Sequence, residues 1–106
     1  MVKPIVLELA EIFLKNKWRL STAESCTGGL VAASITALAG SSDWFERGYV
    51  TYSNDAKSQD IGVKAQLIQQ HGAVSEEVAK AMAKGAKQSS HADVALSITG
   101  LSLIHI

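Results

Sequence analysis

One seven-residue run constrains this chain most. Between a strand-like stretch, Trp18 to Thr22, and an apolar, alanine-rich stretch, Leu30 to Leu38, lies Ala23-Glu24-Ser25-Cys26-Thr27-Gly28-Gly29. Its two glycines let the backbone take conformations closed to other residues, and Gly40 ends the helix expected after it. A strand that turns through glycine into a buried helix belongs to a chain in which the two kinds of element alternate, and the rest of the sequence keeps that alternation. Pro4 suits a first helical turn, and Ile5, Leu9, Ile12 and Phe13 recur at helical spacing, so a helix is expected over 4–17. Gly40 to Asp43 reads as a loop leading to a short turn at Trp44 and Phe45. A strand is expected over Gly48 to Tyr52. Ser53-Asn54-Asp55 is a cap signal for a short helix over Ala56 to Ile61, and a second short helix covers Lys64 to Gln70. A longer helix starts at Ser75-Glu76-Glu77 and runs to about Gln88, with Val78, Met82 and Ala86 as its apolar stripe. Asp93 to Thr99 is expected to be a buried strand. The order predicts an α/β layer fold with a partly parallel sheet.

Length and composition narrow the function. A chain of 106 residues is one domain with one core. Ten basic residues balance ten acidic ones, which gives no reason to expect nucleic acid or an anionic membrane as partner. No apolar run approaches the ~18 residues of a membrane span, and the first residues do not read as a signal peptide. The single cysteine, Cys26, fits a reducing cytoplasm and, with three scattered histidines, argues against a zinc site. The lysines at 80, 84 and 87 read as a solvated helix face, and His71 and His91 as structural residues near helix ends.

Two segments can carry chemistry. A glycine turn ahead of a helix can hold a phosphate or carboxylate, or stabilise an oxyanion for a nucleophile on the same turn, where Ser25, Cys26 and Thr27 all stand. The turn is equally open to being a tight αβ connection with its hydroxyls as caps. Tyr52 closes a strand and Lys57 lies early on the next helix. A buried lysine can act as a base toward a hydroxyl, and a tyrosine can position the proton. A half-buried tyrosine and a solvated lysine would explain the same residues. Glu24 can be ionic glue, a ligand contact or a surface charge. Cys26 can be a thiol nucleophile or a small buried hydrophobe.

Beyond these readings, six ordered segments resemble one family. Thr22 to Gly29, Gly40-Ser41-Ser42 with Trp44 to Gly48, Val50 to Asn54 with Ala56-Lys57, Ile61-Gly62-Val63, His71 to Glu76 and Ser97 to Gly100 together resemble the CinA carboxyl-terminal domain family over about residues 5–100. The resemblance implies a three-layer α/β/α sandwich, usually a homodimer, in cytoplasmic pyridine-nucleotide salvage. It implies hydrolysis of nicotinamide mononucleotide to nicotinate mononucleotide and ammonia, with no metal and no cofactor. It makes Ser25 the nucleophile, Lys57 its general base, Tyr52 the assisting residue and Thr99 a further hydroxyl of the site. Glu24, Thr27, Gly28, Gly29 and Asn54 are the expected substrate-binding residues, with the Gly28-Gly29 turn supplying backbone donors. A non-catalytic nucleotide-binding module is the competing expectation, and thiol-based hydrolysis at Cys26 a third.

The resemblance stops at Gly100. In the family that strand leads into a glycine-rich loop, further strands and a final helix, whereas Leu101 to Ile106 matches none of these. Such a hexapeptide can be encoded by a transposon-end sequencing adapter. The tail is therefore expected to be an artefact, and residues 1–100 the amino-terminal part of a single, incomplete domain. On that expectation the sheet edge is unpaired and turnover is weak or lost.

Overall fold

The computed structural model describes residues 2–100; the tail over 101–106 lies outside them. The first helix, α1 (Pro4–Asn16), carries Pro at its start and ends where Lys17 takes the left-handed conformation. Trp18 then donates its N–H to Phe13 O at 2.9 Å, and its ring packs edge-on against Phe13. Trp18 thus belongs to the helix exit, and strand β1 runs over Leu20–Glu24, two residues later than expected.

Helix α2 (Leu30–Thr36) and a single 3-10 turn (Ser41–Asp43) connect β1 to β2 (Phe45–Val50). Strand β2 starts earlier than expected because it pairs in parallel along the whole of β1, from Leu20↔Phe45 to Glu24↔Val50, with an irregularity after Leu20. Tyr52 lies beyond it. Three helices follow: α3 (Asn54–Ile61), α4 (Ala65–His71) and α5 (Glu76–Ser89). The Ser53 and Ser75 hydroxyls cap α3 and α5 by accepting the N–H groups of Ala56 and Val78. Strand β3 (Val94–Ile98) pairs in parallel with the other side of β1, giving the order β2-β1-β3.

The sheet lies between two helical layers. On one face Leu20 packs with Val6, Ala10, Phe13, Ile35 and Trp44. On the other Ala23 packs with Ile61, Val63, Ile68 and the α5 stripe Val78, Met82 and Ala86. This is a three-layer α/β/α sandwich. Two expectations of burial need correction. Helix α2 buries only Ile35 and leaves Leu30 more than half exposed. All five residues of β3 are half-buried. Among the described residues full burial belongs to β1 alone, because there only the central strand has neighbours on both sides and a helical layer on each face.

Candidate active site

All three strands run in one direction, so Ser25, Thr51-Tyr52 and Thr99-Gly100 gather at one edge of the sheet, just past their carboxyl ends. The chain leaves β1 toward β2 and later crosses to β3 on the other side. Such a switch of direction opens a crevice in parallel sheets. Here it is a cleft of about 290 Å³ whose lining includes Ser25, Cys26, Tyr52, Asn54, Lys57 and Thr99.

Side chains alternate between faces along β1. Leu20, Thr22 and Glu24 turn toward α1 and α2, whereas Ser21, Ala23 and Ser25 turn toward α3–α5. The same alternation therefore sends Glu24 away from the cleft and Ser25 into it. The main chain at this point is held from both sides: Ser25 donates its N–H to Ile98 O at 2.9 Å, and Glu24 O accepts from Thr51 N at 2.8 Å.

Lys57, on the first turn of α3, is only 1 % exposed. Its Nζ lies 3.2 Å from Ser25 Oγ and donates to the Tyr52 main-chain oxygen at 3.3 Å. Ser25 Oγ is 3.4 Å from that same oxygen. No carboxylate pairs with Lys57 among the described residues. Burial pushes the lysine pKa down from its ordinary 10.5, and only negative charge on the Cys26 sulfur would act the other way. An amine whose neutral form is favoured can accept the serine proton, so this pair can generate an alkoxide.

Glu24, expected to contact substrate, is instead completely buried. One carboxylate oxygen accepts from Thr27 Oγ1 at 2.6 Å and Val31 N at 2.9 Å, and the other from Ala32 N at 2.9 Å. Burial alone would raise its pKa. Hydrogen bonds from Thr27, Ala32, Val31 and Gly29 outweigh that and hold it below the ordinary carboxylate value. Glu24 thus ties the strand end to the turn and to α2, and the Thr27 hydroxyl serves it rather than the cleft. Gly28 and Gly29 both have positive φ, which explains the glycine pair. Gly28 donates its N–H to Ser25 O at 3.1 Å, and the Gly29 main chain adds to the lowering of the Glu24 carboxyl pKa. The N–H groups of Cys26 and Thr27, next to Ser25 on this turn, make no hydrogen bond among the described residues.

The remaining residues divide. Asn54 lines the cleft at the start of α3. The Thr99 hydroxyl donates to Ala73 O at 2.8 Å and so fixes the Ala73-Val74 loop, which also lines the cleft. That loop escaped sequence reasoning because its side chains carry no chemistry. The Tyr52 ring is 74 % exposed, so at the Ser–Lys pair this residue is represented by its carbonyl. Cys26 is half-exposed and makes no hydrogen bond to Lys57 among the described residues. Those residues also contain no group of three His, Cys, Asp or Glu side chains placed to hold a metal, and no helix long and apolar enough to cross a membrane.

Known proteins share this arrangement of elements. The solved structure of a competence-damaged protein (CinA) superfamily protein from Escherichia coli superposes with a TM-score of 0.91 at 36% identity, over 94% of this chain and 58% of that one. The competence/damage inducible protein from Agrobacterium tumefaciens gives 0.84 at 42% identity, over 95% of this chain and 64% of that one. In sequence the chain is 60% identical over 83 residues to the Escherichia coli K12 protein called nicotinamide-nucleotide amidohydrolase PncC, covering 78% of this chain and 50% of the relative. It is 53% identical over 94 residues to a CinA-like protein of Syntrophobacter fumaroxidans, covering 89% of this chain and 22% of the relative. The chain therefore spans between about a fifth and a half of these two relatives. The family model described as CinA C-terminal domain matches residues 2–102. The chain belongs to the CinA C-terminal domain family.

Proposed function

We propose that this chain carries the serine–lysine centre of an amidohydrolase that removes the amide nitrogen of a nicotinamide nucleotide. The observation that carries the reading is the buried Lys57 amine 3.2 Å from Ser25 Oγ, at the carboxyl edge of a parallel sheet. The name of the Escherichia coli relative supplies the substrate class.

Neutral Lys57 takes the Ser25 proton as Oγ bonds to the amide carbon. The negative charge that develops on the amide oxygen needs donors, and the unoccupied N–H groups of Cys26 and Thr27 are the candidates on this turn. Lys57, now protonated, returns the proton to the nitrogen, and the carbon–nitrogen bond breaks to release ammonia. Water then adds to the acyl ester with Lys57 again as base, Lys57 returns that proton to Ser25 Oγ as the bond to the acyl carbon breaks, and the acid loses its own proton to solvent and departs as the carboxylate. The Tyr52 carbonyl accepts from the lysine throughout and keeps its nitrogen directed at Ser25. No step needs a metal or cofactor.

Ammonia release from nicotinamide mononucleotide tests the reading. Ser25→Ala should reduce it to background and Cys26→Ser should leave it largely intact; the reverse result would assign the chemistry to the thiol. Retained nucleotide binding with no turnover in the unsubstituted protein would favour the binding module instead. Because the chain spans half of the relative called an amidohydrolase, a full-length relative is expected to turn over faster than these 106 residues. The same reading includes a cytoplasmic setting and a homodimeric parent.

A further inference from the structure

The cleft poses an electrostatic problem that rests on the reading above. A nicotinamide bound to ribose through its ring nitrogen is a cation. Yet among the described residues no aspartate or glutamate lines the cleft, and its one ionisable nitrogen is the Lys57 amine at the serine. A cationic ring therefore finds no counter-charge there. What it does find is one aromatic ring. Tyr52 lines the cleft, is 74 % exposed, and is the most exposed large apolar residue among the described residues. It follows directly on Thr51, which is completely buried, while its own carbonyl is held by Lys57 Nζ. The ring is thus presented to solvent at a backbone position fixed by the catalytic pair.

We infer that the Tyr52 ring is the recognition face for the substrate's cationic pyridinium, so that the site selects N-alkylated pyridinium amides over neutral ring amides. The attraction is that of a cation for the negative face of an aromatic ring, which needs no carboxylate. It would also orient the ring, since a pyridinium lying flat on the tyrosine can direct its 3-carboxamide toward Ser25. The phenolic hydroxyl has no part in this. The role therefore differs from the proton-positioning one that the sequence suggests for Tyr52.

The experiment uses the Ser25→Ala protein, so that turnover cannot disturb binding. It is titrated with 1-methylnicotinamide, which is a cation without ribose or phosphate, and with nicotinamide, its neutral counterpart. Tyrosine-ring NMR signals are followed; Tyr49, whose hydroxyl is bound to Ser89 O, is the internal control. The expected result is a shift of Tyr52 but not Tyr49, and a Kd about three- to fivefold lower for the cation, as a contact of this kind at an exposed site provides. Tyr52→Phe should keep the preference and Tyr52→Leu should abolish it. Equal affinities for the two probes, an unmoved Tyr52 signal, or a preference that survives in Tyr52→Leu would each overturn the inference. The amidohydrolase reading stands or falls separately, on whether Ser25→Ala abolishes ammonia release.

Discussion

Gly85 sets how closely α5 approaches α3, and replacing it tests how far the lysine's position depends on packing. A Cβ built on Gly85 falls 1.8 Å from the main-chain oxygen of Ile61 and 2.9 Å from its carbonyl carbon, whereas ordinary contact begins at 3.4 Å. The obstruction is backbone, so no rotamer change relieves it. In Gly85→Ala either α5 backs away from the sheet or the end of α3 is pushed outward. Overpacking of this kind costs about 1–3 kcal/mol, and a rigid neighbour places the change at the upper end. Alanine returns about 1 kcal/mol of helix propensity. A net loss of about 2 kcal/mol corresponds to a fall in Tm of about 10 °C for a domain of this size. Thermal unfolding followed by the fluorescence of Trp44, which is only 1 % exposed, measures it. Lys57 lies one helical turn before Ile61, so a displaced α3 also lengthens the 3.2 Å contact with Ser25. Misplacement by about 1 Å can reduce turnover by about 10²-fold. A Gly85→Ala protein with unchanged Tm would refute the reasoning about close approach. One with lowered Tm but undiminished ammonia release would refute the link to Lys57.

Lys57→Met should abolish ammonia release while leaving Tm at neutral pH equal or higher, since it replaces an unpaired buried amine with an apolar chain of similar length; a clear loss of stability would contradict this. Because the folded-state pKa of Lys57 lies below the ordinary 10.5, kcat/KM should rise with pH through that lower value. Stability should rise across the window between it and 10.5, where the unfolded chain still binds the proton. Glu24 acts with the same sign at the acid end: its depressed pKa gives stability that is complete above the ordinary 4.5 and lost as pH falls through the lower folded value. Glu24→Gln should cost about 2–3 kcal/mol at neutral pH, because an amide NH2 must face one of the N–H groups of Val31 or Ala32. Urea unfolding at neutral and acid pH should show that difference shrinking at low pH.

The order of elements was legible because its signals are local: Pro4 and the caps at Ser53 and Ser75 act within a turn. Strand limits were not, since β1 and β2 take theirs from each other, and the left-handed Lys17 that keeps Trp18 out of the strand carries no glycine to announce it. At the site, Ser25 and Lys57 could be named but their approach could not, as it depends on α3 lying against the sheet. For Glu24 the sequence leaves ionic glue, ligand contact and surface charge open, although a signal that separates them exists. Had β1 been taken to run through residue 24, its period of two would have turned Glu24 and Ser25 to opposite faces. The Thr99 hydroxyl's tie to Ala73 O, and the choice between ring and carbonyl at Tyr52, are tertiary facts with no sequence pattern behind them.

The amide of Ser25 is the last rung joining the central strand to an outer one. Outer strands detach at lower free energy than the middle of a sheet, so the hydrogen on this nitrogen should exchange with solvent at the rate at which β3 peels away. Each peeling event also carries off Thr99, and with it the anchor of the Ala73 loop. The surroundings of Ser25 therefore come apart in a single step with the sheet margin, and occupancy of the cleft should slow exchange at Ser25 more than at the amides of α1.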